Sequence, residues 1–190
     1  MKKLLGIVVL GLLWSGNVYA CDNVNGTTKT YTSDCRQIVV TGNGSNITID
    51  GATIKGHSSD DEEGIITTNG TNTIITINSN AGIGYNTAAG LDRYGISNGT
   101  GGSITRITNN GRIETRQSTN KGHGLPISNK STIGEIINSG QIYSNSRSAI
   151  YNWSGTAANP ATISKIENTA TGNIWQNENM LLEINLPLEQ

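Results

Sequence analysis

The amino-acid sequence predicts an all-β fold, a right-handed parallel β-solenoid of about five coils built from ~30-residue repeats. Three observations lead to this prediction. An isoleucine motif recurs at a nearly constant interval, no window has the 3.6-residue apolar period of an amphipathic helix, and the composition favours strands and turns. The chain of 190 residues has 24 glycines and no phenylalanine, and β-branched residues are abundant.

The repeated motif reads I-x-x-I, then a polar stretch, a glycine and a further isoleucine. Its first isoleucine falls at positions 74, 104, 133 and 163, in steps of 30, 29 and 30. A weaker copy lies at 46–54. Stacked units of this kind bury one continuous apolar column that a single unit cannot bury alone. The predicted core column is Ile74, Ile77, Ile83, Ile104, Ile107, Ile113, Ile133, Ile136, Ile142, Ile163, Ile166 and Ile174.

Stacking in register also predicts two polar columns. Arg106, Glu135 and Lys165 would form an outer ladder of alternating charge, which specifies register more than it stabilises. A second column consists of Asn109, Asn138 and Asn168. Asparagine can hydrogen-bond from coil to coil, but it is also a common residue of tight corners, and both interpretations stay open.

Residues 1–20 are typical of a signal peptide. Lys2 and Lys3 precede an apolar run over 4–14, and small residues stand near Ala20. The run is shorter than the ~20 residues of a membrane span. We therefore expect an exported protein, and no transmembrane helix in the mature chain.

The chain has two cysteines, Cys21 and Cys35. In an oxidising compartment we expect them to form a disulfide within an N-terminal cap over 21–45. The alternative is a lipid anchor on Cys21. The solenoid repeats would then cover 46–175, and the apolar segment within 176–190 would be a C-terminal cap or a truncated continuation.

Charge and motif content argue against several functions. The net charge is −1, from 13 basic and 14 acidic residues, so we expect no nucleic-acid partner. The acidic run 60–63 suggests a solvated loop rather than a calcium site. His57 and His123 have no third ligand nearby in the sequence, so we expect no metal site and no cofactor.

The sequence contains no convincing catalytic constellation. Glycoside cleavage needs two carboxylates facing one groove, and no pair stands out among the candidates Asp92, Glu114, Glu135 and Glu167. We therefore expect no enzyme. The aromatic residues Tyr94, Tyr143, Tyr151 and Trp153 could stack on sugars, although packing at coil edges is the favoured interpretation.

The segments ITNNGRI, IGEIINSGQI and AIYN resemble passenger repeats of bacterial autotransporters, over about residues 37–175. The resemblance implies a right-handed, pectin-lyase-like β-helix followed by an outer-membrane β-barrel. The sequence lacks the barrel strands, so we expect a passenger fragment, a barrel-less relative or a periplasmic protein.

The function expected from this resemblance is that of an exported, non-enzymatic surface stalk or adhesin-like protein. Its loops would contact a glycan or a surface protein. The alternative is a polysaccharide-binding or polysaccharide-cleaving β-helix. The expected location is the cell surface, the extracellular medium or the periplasm.

Overall fold

The computed structural model describes residues 20–56, 64–84, 94–115, 124–145, 148–153 and 160–176. Within these ranges the chain forms eighteen β-strands, numbered β1 to β18 in chain order, and no helix. The strands make three parallel sheets of six strands each. The prediction of an all-β solenoid is therefore confirmed.

Each sheet takes every third strand of the chain. The first sheet contains β1 (Val24–Asn25), β4 (Ile38–Thr41), β7 (Gly64–Thr68), β10 (Tyr94–Asn98), β13 (Leu125–Asn129) and β16 (Ile150–Asn152). The second contains β2 (Thr28–Tyr31), β5 (Asn46–Ile49), β8 (Thr73–Ile77), β11 (Ser103–Asn109), β14 (Thr132–Asn138) and β17 (Thr162–Asn168). The third contains β3 (Cys35–Arg36), β6 (Thr53–Lys55), β9 (Gly82–Ile83), β12 (Arg112–Thr115), β15 (Gln141–Ser144) and β18 (Asn173–Gln176).

One passage through the three sheets makes one coil, so each sheet is six strands deep. This exceeds the expected five or so because the coils begin earlier than position 46. Val40 pairs with Val24, only 16 residues before it, and Ile49 pairs with Tyr31. The first coil is shorter than the ~30-residue repeat, so a search at that period does not find it. The region expected to be a separate cap thus contributes the first strands of every sheet.

The interior consists of side-chain columns that run from coil to coil. Strand residues alternate between the inside and the outside, and the isoleucines on the inside are almost fully buried. The third sheet has one such column, which is Cys35, Ile54, Ile83, Ile113, Ile142 and Ile174. The second sheet has another, in which Ile47, Ile75, Ile107, Ile136 and Ile166 follow one another.

The predicted core column is wrong at Ile74. Ile75 stacks on Ile107, whereas Ile74 is only partly buried and pairs with Arg106. The strand Thr73–Ile77 alternates strictly and buries Thr73, Ile75 and Ile77. The next coil differs because a register shift between Ile104 and Arg106 adds one residue to its strand. Ile77, although buried, consequently stacks on Asn109 rather than on Ile107.

The remaining predicted core isoleucines lie inside the solenoid. Ile104 stacks on Ile133, and Ile133 on Ile163. Ile166 and Ile174, in the last described strands, are only partly buried although they pack against the core. They have a described coil on one side only, so their exposure follows from their position in the stack.

The glycine of the repeated motif forms the corner between the second and third sheets. A Cβ on Gly140 would lie 2.0 Å from the carbonyl oxygen of Gly111, and a Cβ on Gly111 would lie 2.2 Å from that of Ala81. Successive coils thus approach closely at this corner, and a side chain there would force them apart. This contact explains the glycines two residues before Ile113, Ile142 and Ile174, whereas Ala81 takes this place in the repeat that ends at Ile83.

Cys21 and Cys35 form a disulfide at the first coil. The backbone N–H of Cys21 also donates to the carbonyl of Arg36 at 2.7 Å, and Ala20 makes a bridge to the same residue. The first strand of the third sheet is thereby joined to the start of the described chain. The predicted signal peptide, apart from Ala20, lies outside the described residues, as do residues 177–190.

Candidate binding face of the third sheet

The last three strands of the third sheet present two columns of side chains on their outer face. Because strand residues alternate, the residues on either side of Ile113, Ile142 and Ile174 point away from the core. One column is Arg112, Gln141 and Asn173, and the other is Glu114, Tyr143 and Trp175. The face therefore combines a polar column with a column that ends in two aromatic rings.

Tyr143 and Trp175 stack on one another. Their ring centroids are 4.1 Å apart and the ring planes are inclined by 31°. Trp175 is 49% exposed and is the only large hydrophobic side chain that is exposed in the described part of the chain. Gln141 and Asn173, which precede these rings by two residues, are exposed as well. An aromatic surface with amides beside it therefore faces the solvent.

Arg112 and Glu114 form an ion pair one strand before the aromatic pair, with Nη2 and Oε2 2.5 Å apart. The Glu114 side chain is fully buried, whereas that of Arg112 is 33% exposed. Truncation of either partner would leave the other without its counter-charge, which is costly because the carboxylate is buried. The pair makes this end of the face electrically neutral.

A second aromatic cluster lies on the first sheet. Tyr151 and Trp153 make an edge-to-face contact at 5.0 Å, and the Lys130 ammonium lies 5.0 Å from the Trp153 ring centroid. The indole N–H of Trp153 donates to the Ser128 hydroxyl at 2.9 Å. These contacts occupy an edge, a face and the polar group of the cluster, as expected for packing at a coil edge.

The other sequence candidates are distributed over the molecule. Tyr94 is 4% exposed and is therefore buried. Glu135 pairs with Arg106 at 3.4 Å, and Glu167 pairs with Lys165 at 2.7 Å. Asp92, His57, His123 and the acidic run 60–63 lie outside the described residues. Over the described ranges, no three His, Cys, Asp or Glu residues lie close enough together to hold a metal ion.

The predicted charge ladder is in register, but its ion pairs are not continuous. Arg106 aligns with Glu135, and Glu135 aligns with Lys165. The Lys165 ammonium bonds instead to Glu167 on its own strand. This hydrogen bond is the main cause that raises the pKa of Lys165, and the more distant Glu135 contributes least.

The Asn109, Asn138 and Asn168 column is a hydrogen-bonded ladder. Asn109 Nδ2 donates to Asn138 Oδ1 at 2.7 Å, and Asn138 Nδ2 donates to Asn168 Oδ1 at 2.8 Å. The first sheet has a matching ladder that the sequence analysis did not predict. It runs from Thr68 through Asn98 and Asn129 to Asn152. Its sequence signal was present, since each of these asparagines stands two residues after an isoleucine, Ile96, Ile127 or Ile150.

Trp175 is the functional candidate that sequence reasoning missed. It directly follows Ile174, the last isoleucine of its repeat, just as Tyr143 follows Ile142 and Glu114 follows Ile113. An alignment of the repeats by that isoleucine would have placed the three side chains in one outward column.

The fold and its stacked columns define a parallel β-solenoid whose third sheet carries an exposed aromatic face. Comparisons with protein-family models, with curated proteins and with solved structures give no match. Across the described ranges, no helix has the length and apolar character needed to cross a membrane.

Proposed function

We propose that this chain is an exported, non-enzymatic solenoid that serves as a surface stalk or adhesin-like protein, similar to an autotransporter passenger. The observation that carries the proposal is the unbroken stack of six strands in each of three sheets. At ~4.8 Å per strand, five steps give a stack of roughly 24 Å. A stack whose interior is filled by columns of side chains is suited to presenting an outer surface rather than to enclosing a substrate.

Two features support export, the predicted signal peptide and the disulfide. Disulfides persist in oxidising compartments and are rare in the cytosol. Cys21, which pairs with Cys35, follows immediately after the predicted cleavage site at Ala20. Both features favour a protein that folds after crossing the inner membrane.

The rival function, glycan cleavage, has less support. The described carboxylates that were considered as catalytic pairs are engaged in ion pairs, Glu114 with Arg112, Glu135 with Arg106 and Glu167 with Lys165. A retaining or inverting hydrolase needs two carboxyl groups facing one substrate. The aromatic face of the third sheet favours binding over cleavage.

Export is tested by producing the full chain in a Gram-negative host and sequencing the N-terminus of the folded product. We expect the mature chain to begin at Cys21, to be protected from maleimide and to lie outside the cytoplasm. The matched control replaces Leu10 and Leu12 with Arg, which should leave an uncleaved precursor inside. An unprocessed wild-type chain with two free thiols in the cytoplasm would contradict the proposal, and a diacylglyceryl mass on Cys21 would replace the disulfide by a lipid anchor.

A further inference from the structure

We propose that the outer face of the last described strands of the third sheet binds a neutral glycan. Tyr143 and Trp175 would stack on pyranose rings, and Gln141 and Asn173 would hydrogen-bond the sugar hydroxyls. The proposal extends the adhesin-like function by naming a ligand class and a site. It rests on that function only for the place where the protein encounters the glycan, because binding can be measured with the purified chain.

The aromatic pair of Tyr143 and Trp175 is open to solvent on this face. Among the large hydrophobic side chains whose burial the structure describes, Trp175 is the exposed one, at 49%. Tyr143 covers one side of the indole at a centroid distance of 4.1 Å. The pair therefore presents aromatic surface to solvent, and Tyr143 fixes the position of the indole. The C–H groups on one side of a pyranose match such a surface, because an aromatic ring has a negative face.

Polar side chains suited to sugar hydroxyls lie beside the aromatic rings. Gln141 and Asn173 precede Tyr143 and Trp175 by two residues and lie on the same face, about 6.6 Å away along the strand. Both amides are exposed, and each supplies N–H donors and a carbonyl acceptor. Sugar hydroxyls both donate and accept, so amides next to an aromatic surface complement them.

The two columns of this face favour a ligand without charge. The ion pair of Arg112 with Glu114 leaves the two columns without net charge. An acidic polysaccharide would find no excess of positive charge on this face, so the complementary ligand is a neutral glycan.

The apolar area of this face is small compared with that of a protein interface. A stable protein interface buries about 800 Å² on each partner and usually has an apolar centre. This face has one half-exposed indole beside a column of amides, which is too small and too polar an apolar centre for such an interface. A second copy of the chain would therefore be a poor occupant.

The test follows the fluorescence of Trp175 alone. The sequence has three tryptophans, and the double variant Trp14→Phe and Trp153→Phe leaves Trp175 as the only one. Acrylamide quenching is measured with neutral hexasaccharides, namely cellohexaose, mannohexaose, laminarihexaose and chitohexaose, and with hexagalacturonate as the acidic comparison. We expect at least one neutral oligosaccharide to protect Trp175 in a saturable manner, and hexagalacturonate not to do so.

Affinity of variants is then measured by calorimetry in the wild-type background. Trp175→Ala should weaken binding about tenfold or more, because it removes the aromatic surface that the sugar ring would cover. Gln141→Ala and Asn173→Ala should each weaken it about fivefold through a lost hydrogen bond. Both amides are exposed, so these two variants keep the test valid if Trp175→Ala fails to fold. Tyr151→Ala, in the other aromatic cluster, is the matched control and should bind as the wild type.

The proposal is overturned if no neutral hexasaccharide protects Trp175, if only hexagalacturonate does, or if Gln141→Ala and Asn173→Ala bind as tightly as the wild type. It is also overturned if protection appears on raising the protein concentration alone, which would put a second copy on the face. None of these results depends on where the chain resides in the cell, so they are separate from the test of export.

Discussion

Asn98 donates from its Nδ2 to the Oδ1 of Asn129 at 2.7 Å, and both amides are completely buried. Asn129 repeats the contact toward Asn152 at 2.7 Å and donates its second N–H to the carbonyl of Thr162 at 2.9 Å. Each amide thus joins its own coil to the next through groups that would otherwise be buried without partners. This ladder ties neighbouring coils to one register.

Replacement of an inner residue of the ladder should therefore cost much more than replacement at its exposed end. Asn129→Ala removes the acceptor of Asn98 and the donor to Asn152, so we expect a loss of about 3 kcal/mol in the free energy of unfolding. The measurement is urea unfolding followed by circular dichroism.

The matched control is Asn168→Ala in the second ladder. Asn168 is exposed, although it too accepts an amide hydrogen bond. We expect a loss below about 1 kcal/mol there because water can replace the lost partner. Equal losses for the two variants would mean that the ladder contributes nothing through its burial.

The start of the second ladder offers a place to improve the interior. The Oδ1 of Asn109 is buried without a hydrogen-bond partner, and the preceding residue of its column is Ile77. In the first ladder the corresponding residue is Thr68, whose hydroxyl donates to Asn98 Oδ1 at 2.9 Å. We expect Ile77→Thr to supply the same donor to Asn109.

The comparison variant for this prediction is Ile49→Thr. Ile49 is equally buried in the same column, between Tyr31 and Ile77. Both changes bury a hydroxyl, but only the one at position 77 meets an amide acceptor, so Ile77→Thr should be less destabilising by about 1 kcal/mol. If thermal and urea unfolding rank the two variants in the opposite order, the unpartnered oxygen is not satisfied by a threonine there.

The disulfide should contribute strongly to stability because it closes the first coil. Cys21 and Cys35 are 14 residues apart, and in the chain-entropy model a loop of this size stabilises by about 3 kcal/mol. We expect the double variant Cys21→Ala and Cys35→Ala to unfold at correspondingly lower urea concentration. Dithiothreitol should shift the wild type by a similar amount and leave the variant unchanged. A reductant-induced shift in the variant would point to a different cause.

Asp34 should make the first coils sensitive to acid. The Lys55 side chain hydrogen-bonds its carboxylate at 2.8 Å and is the main cause that lowers the pKa of Asp34 below the ordinary value of 3.8. The backbone N–H of Thr53 donates to the same carboxylate at 2.8 Å and lowers the pKa of Asp34 further, by a smaller amount. Folding thus favours the charged carboxylate. This stability is present above pH 3.8 and is lost as the pH falls through the lower folded pKa.

The corresponding variant is Asp34→Asn, which cannot titrate. Its free energy of unfolding should be lower than that of the wild type at neutral pH, and the difference should close as the pH is lowered toward about 2. Lys55→Met removes the main cause of the shift and should reduce the pH dependence in the same range. A difference that stays constant down to acid pH would show that the Asp34 charge does not contribute.

The part of the fold that the sequence predicted is the part with regular spacing along the chain. The interval near 30 residues and the alternation within strands identify the strands around Ile104, Ile133 and Ile163, because both are properties of consecutive residues. The first coil, which begins at Val24, was not predicted because Val40 follows Val24 by only 16 residues, well short of that interval. Within the candidate site, Tyr143 was considered, whereas Trp175 was not.

The sequence by itself determined the class of fold and the repeat of about 30 residues, because strand alternation and composition act within short stretches of chain. Only the tertiary structure decided that Ile75 rather than Ile74 lies in the core, that Glu114 is buried beside Arg112, and that Tyr143 stacks on Trp175. The physical reason is that contacts between coils depend on the total number of residues in each turn and bulge. One added residue changes which side chains meet, while the strand pattern itself stays the same.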